Sequence, residues 1–521
     1  MSASATNEQL GDGQEGQVPK RRVSLSLHPL LVDLGLTGVA SAAVLITSLV
    51  MVSVFGKLLG AVALAEYLLI RRIYSWLQSA TLLGIDNALP RYVAMTDAER
   101  PRERDGFLVA GILCGGAVVV LAVLILNGAG ATFSQWFFGR KGLRDLVLAL
   151  SLFLAGGDAH GIVYGFYRGR LAMKRANALQ MINLVVVPLV SVAALAWTRS
   201  TALIVDAMGG LMLLFSLLFA LPLLPQIARA FSQNLRTPSK TLLEYGVPRL
   251  PSLLGLGAML ALGPLVASKK IPLGHVAPLL IGMSLLMGIS ASAKPLGQIL
   301  LSKVSMFVSQ NRTAELKLHL AYLQEAVIAS YVFICLQLIV FADVVLRAWV
   351  GNRLSGGVAV VRLVLLAVPF YLVFSALRSV IDAKSVTPYN AFNVLIASAA
   401  FLVFLGLAVL FSPASSLLSS IALATVGAIA ILAALTIRTM RRLYELEINW
   451  KRSVAAVLLS AVLAGVSYGL RLALGSALNL GTAFGIGLAV TVVFIFLLKR
   501  AGSPWLPFFW NLAFHRGAAS V

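Results

Sequence analysis

Charge is what this chain has least of. Only 12% of its 521 residues are charged while 59% are hydrophobic, and the mean hydropathy is +0.91. Soluble domains carry roughly a quarter charged residues. So little polar surface cannot cover a water-soluble fold of this length, which excludes soluble and peripheral arrangements. Cysteine is almost absent too: Cys114 and Cys335 each lie inside an apolar run, so neither a disulfide framework nor a thiolate metal site is expected. The chain has no Walker-type phosphate loop, no H-E-x-x-H, no D-x-D cluster and no outer connection longer than about fifteen residues. ATP hydrolysis, metal-dependent glycosyl transfer and a separate catalytic domain are thereby excluded, so no enzyme activity and no cofactor are expected. A G-x-G-x-x-G spacing at Gly11, Gly13 and Gly16 has no strand before it and no helix after it, and is a chance match.

What the chain has is apolar runs of membrane-spanning length. Measured against the roughly 20 residues that cross a bilayer, spans begin near Leu31, Ala61, Phe107, Leu143, Asn177, Ala202, Leu243, His275, His319, Val358, Tyr389, Ala414, Ser453 and Gly481. The second is the most polar, carrying Glu66, Arg71, Arg72 and Gln78.

Basic residues test this count independently, because Lys and Arg are retained on the cytoplasmic side. With the N-terminus inside, the inner segments hold 27 of the 42 Lys and Arg, the outer ones 11, and Arg71, Arg72, Arg249 and Lys294 fall within spans. An omitted or invented span would scramble that alternation. The high net charge of +22 thus follows from topology rather than from a nucleic-acid partner, and none is expected. The predicted location is a bacterial cytoplasmic membrane, with both termini cytoplasmic.

The expected fold is all-α: about fourteen spans in two six-helix lobes related by a parallel repeat, plus two further C-terminal helices. Leu68, Leu69 and Ile70 recur as Leu279, Leu280 and Ile281 at an offset of 211, which lays the second span over the eighth. The predicted divisions are a disordered cytoplasmic tail (1–29), an N-terminal lobe (30–225), a cytoplasmic linker (226–242), a C-terminal lobe (243–440), two additional spans (441–500) and an interfacial tail (501–521).

Several stretches occur in a recognisable order. The first pair of spans passes Gly56, Gly60 and Tyr67 and ends in "LLGIDNALPRYVA", with Gly84, Asp86, Arg91 and Tyr92. "FYRGRLAMKRANALQMIN" precedes the fifth span, "LLEYGVPRLPSLL" opens the second half, and "FADVVLRAWVG" follows the ninth span. In this order and with this span count the chain resembles the polysaccharide-transporter branch of the multidrug/oligosaccharidyl-lipid/polysaccharide (MOP) flippase superfamily, over roughly residues 30 to 500. The resemblance implies a flippase for a polyprenyl-pyrophosphate-linked oligosaccharide, working by alternating access between the lobes. It also implies partners: membrane lipid, the lipid-linked cargo, and the polymerase and glycosyltransferases of the same pathway. A drug or cation antiporter of the superfamily, and a membrane polysaccharide polymerase, are the alternatives.

Ionised groups within spans are the functional candidates, because hydrocarbon does not solvate them. Arg71 and Arg72 lie roughly 15 Å from the outer end of their span at 1.5 Å per residue, too deep to snorkel easily. They are expected to bind the cargo's pyrophosphate or acidic sugars, unless Glu66 or Asp86 neutralises them. Arg249 and Lys294, beside Pro248, Pro251 and Pro295, are candidates for receiving a head group from the cytoplasm, or for snorkelling to the interface. Asp158 is the candidate for a coupling proton or sodium ion. It sits among Gly157, Gly161, Gly165 and Gly169, whose spacing predicts close helix packing.

Overall fold

The computed structural model describes residues 27–96, 101–232, 234–291, 304, 313–351, 357–384, 387–446 and 450–503. Lys294, most of the expected N-terminal tail and most of the C-terminal one lie outside the described residues. The first half comprises α1 (Leu27–Val54), α2 (Ala61–Thr81), α3 (Ile85–Met95), α4 (Pro101–Gly128), α5 (Gly130–Phe138), α6 (Arg144–Gly169), α7 (Met173–Met181), α8 (Val187–Leu195) and α9 (Thr201–Ala220). Then come α10 (Leu224–Phe231) and α11 (Arg236–Gly246). The second half comprises α12 (Leu250–Lys270), α13 (Leu273–Ala291), α14 (Thr313–Val340), α15 (Ala342–Val350), α16 (Val358–Leu365), α17 (Val368–Lys384), α18 (Tyr389–Phe411) and α19 (Leu417–Tyr444). Finally α20 (Trp450–Leu474) and α21 (Leu480–Arg500) pair with each other and lean on α14.

Among the described residues, thirteen helical stretches are long and apolar enough to cross a membrane. The fourteenth span is α2, an uninterrupted helix of 21 residues made more polar than the others by Glu66, Arg71 and Arg72. The chain is therefore an all-α membrane protein of fourteen spans: two six-helix lobes related by a parallel repeat, with two more helices at the C-terminal side. The repeat is set by an offset of 212, one more than the Leu-Leu-Ile echo suggests. Ala61 and Leu273, Pro101 and Thr313, and Gly130 and Ala342 all open corresponding helices at that separation. The glycines closing α5 and α15, Gly139 (φ 74°) and Gly351 (φ 92°), obey it as well. Leu-Leu-Ile arises too easily in apolar sequence to fix a register to the residue.

Glycine decides how the N-terminal lobe packs. The ribbon on α6 receives one side chain after another: Tyr74 against Gly157, Leu82 against Gly161, Pro90 against Gly165, and Val93 against Gly169. The expected close approach is present, and its partners are α2 and its continuation α3. On another face of α6, a Cβ at Gly209 of α9 would stand 2.5 Å from the Phe153 backbone nitrogen.

The core shows how the lobes meet. At the end of the bundle carrying α5 and α15, one continuous apolar cluster crosses from lobe to lobe, including Leu64, Leu150, Met259, Leu280 and Val364. At the end carrying α11 the cluster divides in two. Ile85, Leu89, Phe107 and Phe166 belong to the first lobe, and Leu320, Leu377, Val380 and Tyr444 to the second. The lobes are joined at one end and parted at the other.

Two short helices make the joined end. A Cβ at Gly139, which closes α5 of the first lobe, would stand 2.3 Å from the Ser268 carbonyl oxygen of α12. Reciprocally, α15 of the second lobe grips the end of α1: Lys57 Nζ donates to the Ala348 oxygen (2.7 Å), Trp349 Nε1 donates to the Leu49 oxygen (2.8 Å), and Val350 fills the space beside Gly56.

Gly209→Val should destabilise the protein by about 1–3 kcal/mol, because a backbone-close seat cannot accept a branched side chain. Gly116→Ala, which meets nothing within 4 Å, should leave stability unchanged or slightly raised. The fraction surviving as a monodisperse species after graded heating in detergent checks both.

Candidate functional site

Helix α2 lies between the lobes, packed on α6 of the first and on α12 and α13 of the second. Two rows of side chains, spaced three and four residues apart, divide these duties. Arg71, Tyr74, Gln78 and Thr81 run down the side nearest α6, while Arg72 and Trp76 face the second lobe, beside Ser284 and Gly257.

Burial changes abruptly along these helices, and at one level. From Ala63 to Ile70 all but Glu66 of the α2 residues are buried; from Arg71 to Ala80 all but Ile73 are half-buried or exposed. In α12 the residues from Met259 to Ser268 are mostly buried and those from Ser252 to Ala258 are half-buried. In α13 the change falls between Met283 and Ser284. A dense half of the interface thus gives way to an open half, and Arg71 and Arg72 stand at the boundary.

Arg72 Nη2 donates to Ser284 Oγ at 3.2 Å. Those residues are 212 apart, so the bond joins equivalent positions of the two repeats and places Arg72 beside the axis relating them. The Arg71 guanidinium lies 5.8 Å from the Tyr67 ring, which stacks on Phe55 at 4.2 Å. Among the described residues neither arginine forms an ion pair. Glu66 lies near Thr201 and Arg140, and Asp86 accepts from the Asn87 amide. The neutralising pairs that the sequence allows are not made. Two adjacent guanidinium groups midway along a span, with serine and aromatic faces as neighbours, need water or an anion.

Asp158 is completely buried, and neither of its carboxylate oxygens has a hydrogen-bond donor. Thr81, Gln78 and Tyr74 of α2 stand near it, but the Thr81 hydroxyl is turned to the backbone oxygens of Leu77 and Gln78. These neighbours lie from about 5 Å (Tyr74) to about 15 Å (Thr81) along α2 from Arg71, by helical rise. A carboxylate without donors in a low-dielectric interior is costly unless it holds a proton or a cation.

Arg249 stands at the parted end, exposed, with its guanidinium 3.8 Å from the Tyr245 ring and bonded to the Tyr245 carbonyl oxygen. Arg91 of α3 approaches the same ring at 5.2 Å, and Tyr92 meets it edge-on at 5.9 Å. A glycine seat fixes this arrangement. A Cβ at Gly246 would stand 2.0 Å from the Leu83 oxygen, and one at Gly84 (φ 73°) 2.9 Å from the Gly246 Cα. Arg91 was not among the expected site residues, though it lies in the same quoted stretch as Tyr92. Lys294 lies outside the described residues. Also unforeseen is a polar knot inside the first lobe: Asn183, on a π-helical turn (Ile182–Val186) between α7 and α8, lies 3.2 Å from His160 Nδ1 and donates to Ser216 Oγ at 2.9 Å. Asn183 and Ser216 are fully buried, so this knot ties α6, α7, α8 and α9 together rather than facing the interface.

No protein-family model matches this chain, and no curated protein sequence does. Solved structures do. A lipid II flippase, MurJ, in an inward closed conformation superposes with a TM-score of 0.72 at 15% identity, over 90% of this chain and 99% of the other. An inward-facing multidrug resistance MATE family transporter of the MOP superfamily gives 0.59 at 15% identity, over 79% and 94%. The eukaryotic MATE transporter AtDTX14 gives 0.56 at 13% identity, over 82% and 99%. This chain shares the fold of these flippase and transporter structures.

The open half of the interface should be wet. In a background lacking Cys114 and Cys335, a cysteine replacing Ser75 or Ser79 should react with a membrane-impermeant maleimide in detergent at least tenfold faster than one replacing Leu69. Equal rates measured by mass shift would remove the chamber.

Proposed function

We propose that this protein is a flippase that moves a polyprenyl-pyrophosphate-linked oligosaccharide across a bacterial cytoplasmic membrane by alternating access. The single observation that supports this reading is the pair of guanidinium groups, Arg71 and Arg72, standing without a counter-ion among the described residues where the lobe interface opens, one of them beside the repeat axis. A pyrophosphate fits that vacancy of charge. Each guanidinium offers parallel N–H donors to phosphate oxygens, and the surrounding protein keeps such bonds strong. The lipid tail would stay in the bilayer while the polar head passes through the chamber.

The excess of basic residues on the segments joined at the α11 end supports a cytoplasmic position for that end and for both termini. The parted lobes then face the cytoplasm, where glycosyltransferases complete the cargo. Arg249 and Arg91, both held on Tyr245, lie at that mouth and are suited to meet an anionic head group first. Delivery on the far side would supply a polymerase. A cationic drug would instead meet two unpaired positive charges at the chamber's deepest point, which disfavours the antiporter reading.

Asp158 is proposed as the coupling site. It touches the row of α2 residues that begins at Arg71, so loading it with a proton or sodium ion changes the field and packing on the same helix that holds the cargo. Asp158→Asn should preserve folding and cargo binding yet uncouple transport from the ion gradient.

Deleting the gene should trap lipid-linked oligosaccharide on the cytoplasmic leaflet, read by its resistance to an externally added glycan-modifying enzyme. Restoration by a plasmid copy should fall at least tenfold with Arg71→Gln plus Arg72→Gln at equal protein level, since charge-assisted bonds contribute about 1.5–3 kcal/mol each. Full export by that double variant would end the proposal.

A further inference from the structure

Three arginines converge on one carboxylate at the joined end of the bundle. Asp343, in the first turn of α15, accepts from Arg471 Nη2 of α20 at 3.0 Å, from Arg362 Nη2 of α16 at 3.3 Å, and from Arg347 Nη2 of α15 itself at 3.4 Å. Arg471 also donates to the Val340 oxygen, and Arg362 to the Ile339 oxygen, where α14 ends. One arginine would neutralise Asp343. Three leave two positive charges uncompensated, and guanidinium groups sharing a carboxylate repel one another. Among the described residues, each also keeps N–H donors for which these contacts supply no acceptor. Arg347 and Arg362 are 49% and 36% exposed, so the surplus charge reaches the surface.

Topology sharpens the point. On the orientation proposed above these arginines are outward, on the side where basic residues are sparse, and they come from three separate helices. Arg471 lies 5.9 Å from the ring of Tyr468, whose side chain is half exposed, as expected of an aromatic at the membrane–water interface. Beside them the buried Nε2 of Gln337 is without a partner, although Ser467, one turn before Arg471, donates to its Oε1. A cluster built only to anchor α15 would need neither the surplus charge nor the unused donors.

We propose that Arg347, Arg362 and Arg471 form a phosphate-binding site in the outer leaflet, taking the phosphate of an anionic lipid head group. Phosphate oxygens would accept the donors left free by Asp343, with Asp343 holding the three guanidinium groups in place. The cluster sits on the helix that grips α1, so occupancy would also bear on the outer closure.

The full-length protein, purified in detergent, can be titrated with phosphatidylglycerol or phosphatidylcholine and read by native mass spectrometry, which needs neither orientation nor transport and so stands or falls apart from the flippase reading. Wild type should retain one phosphatidylglycerol that phosphatidylcholine does not displace. Arg347→Gln plus Arg362→Gln should weaken that retention at least tenfold, and Asp343→Asn, which frees more donors, should keep or tighten it. Arg347→Gln alone, at a half-exposed position, serves if the double variant does not fold. Displacement by inorganic pyrophosphate would show that the site takes phosphate as such, the cargo's included; resistance to it would show that the lipid head group is required. Equal retention by wild type and the arginine variants would overturn the site.

Discussion

A guanidinium group cannot be left uncompensated in hydrocarbon, and Arg71 and Arg72 are two of them, side by side in the middle of a spanning helix. Everything around α2 is consistent with that constraint being met from inside the protein. The helix is withdrawn from lipid to a position between the lobes, with its first half packed densely on both. Its second half faces the region where the shared apolar core divides, and there the burial of α12 and α13 relaxes as well. Remove the charges and nothing in the sequence of α2 would require an opening at that level. Their depth, their lack of a carboxylate and the parting of the lobes are three views of one arrangement.

Periodic and compositional features were legible in the sequence. The starts of the spans, α2 among them, agree with the structure because each reflects local apolar length. The glycine ribbon on α6 was readable as a packing surface, although the residues filling it, Tyr74, Leu82, Pro90 and Val93, could not be named without the path of α2 and α3. Asp158 and the arginine pair stood out because ionised residues are rare in spans. Clusters assembled from distant segments were not readable. Asp343 meets Arg362 and Arg471, nineteen and 128 residues away, and each is unremarkable in a loop or at a helix end. The His160–Asn183–Ser216 knot was hidden in the same way, since His160 and Ser216 stand 23 and 33 residues from Asn183 on separate helices. The repeat was seen but slipped by one, since apolar triplets fix register less well than the glycines that close α5 and α15.

The contacts that close the joined end have a form suited to opening. Gly139 seats on the backbone of Ser268 and Gly56 on Val350, one seat for each lobe's short helix on the other lobe, supplemented by two hydrogen bonds to carbonyl oxygens. At the parted end, Gly246 seats on Leu83 and Gly84 in the same manner. Such surfaces have few rotamers to rearrange, so they separate and re-form as rigid bodies rather than melting.

On the proposed function, the charge at Arg71 and Arg72 decides when they do so. Swinging the lobes together at the α11 end would strip water from Arg71 and Arg72, and with no carboxylate paired to them among the described residues the desolvation would go uncompensated. An empty chamber therefore resists closing. On that proposal a pyrophosphate held between the two guanidinium groups would cancel that charge, and the closed arrangement would lose its main electrostatic penalty. The same pair that selects an anion would thus prevent futile cycling, because a ligand shifts a conformational equilibrium only by its differential affinity for the two states, and here that difference is the charge it neutralises.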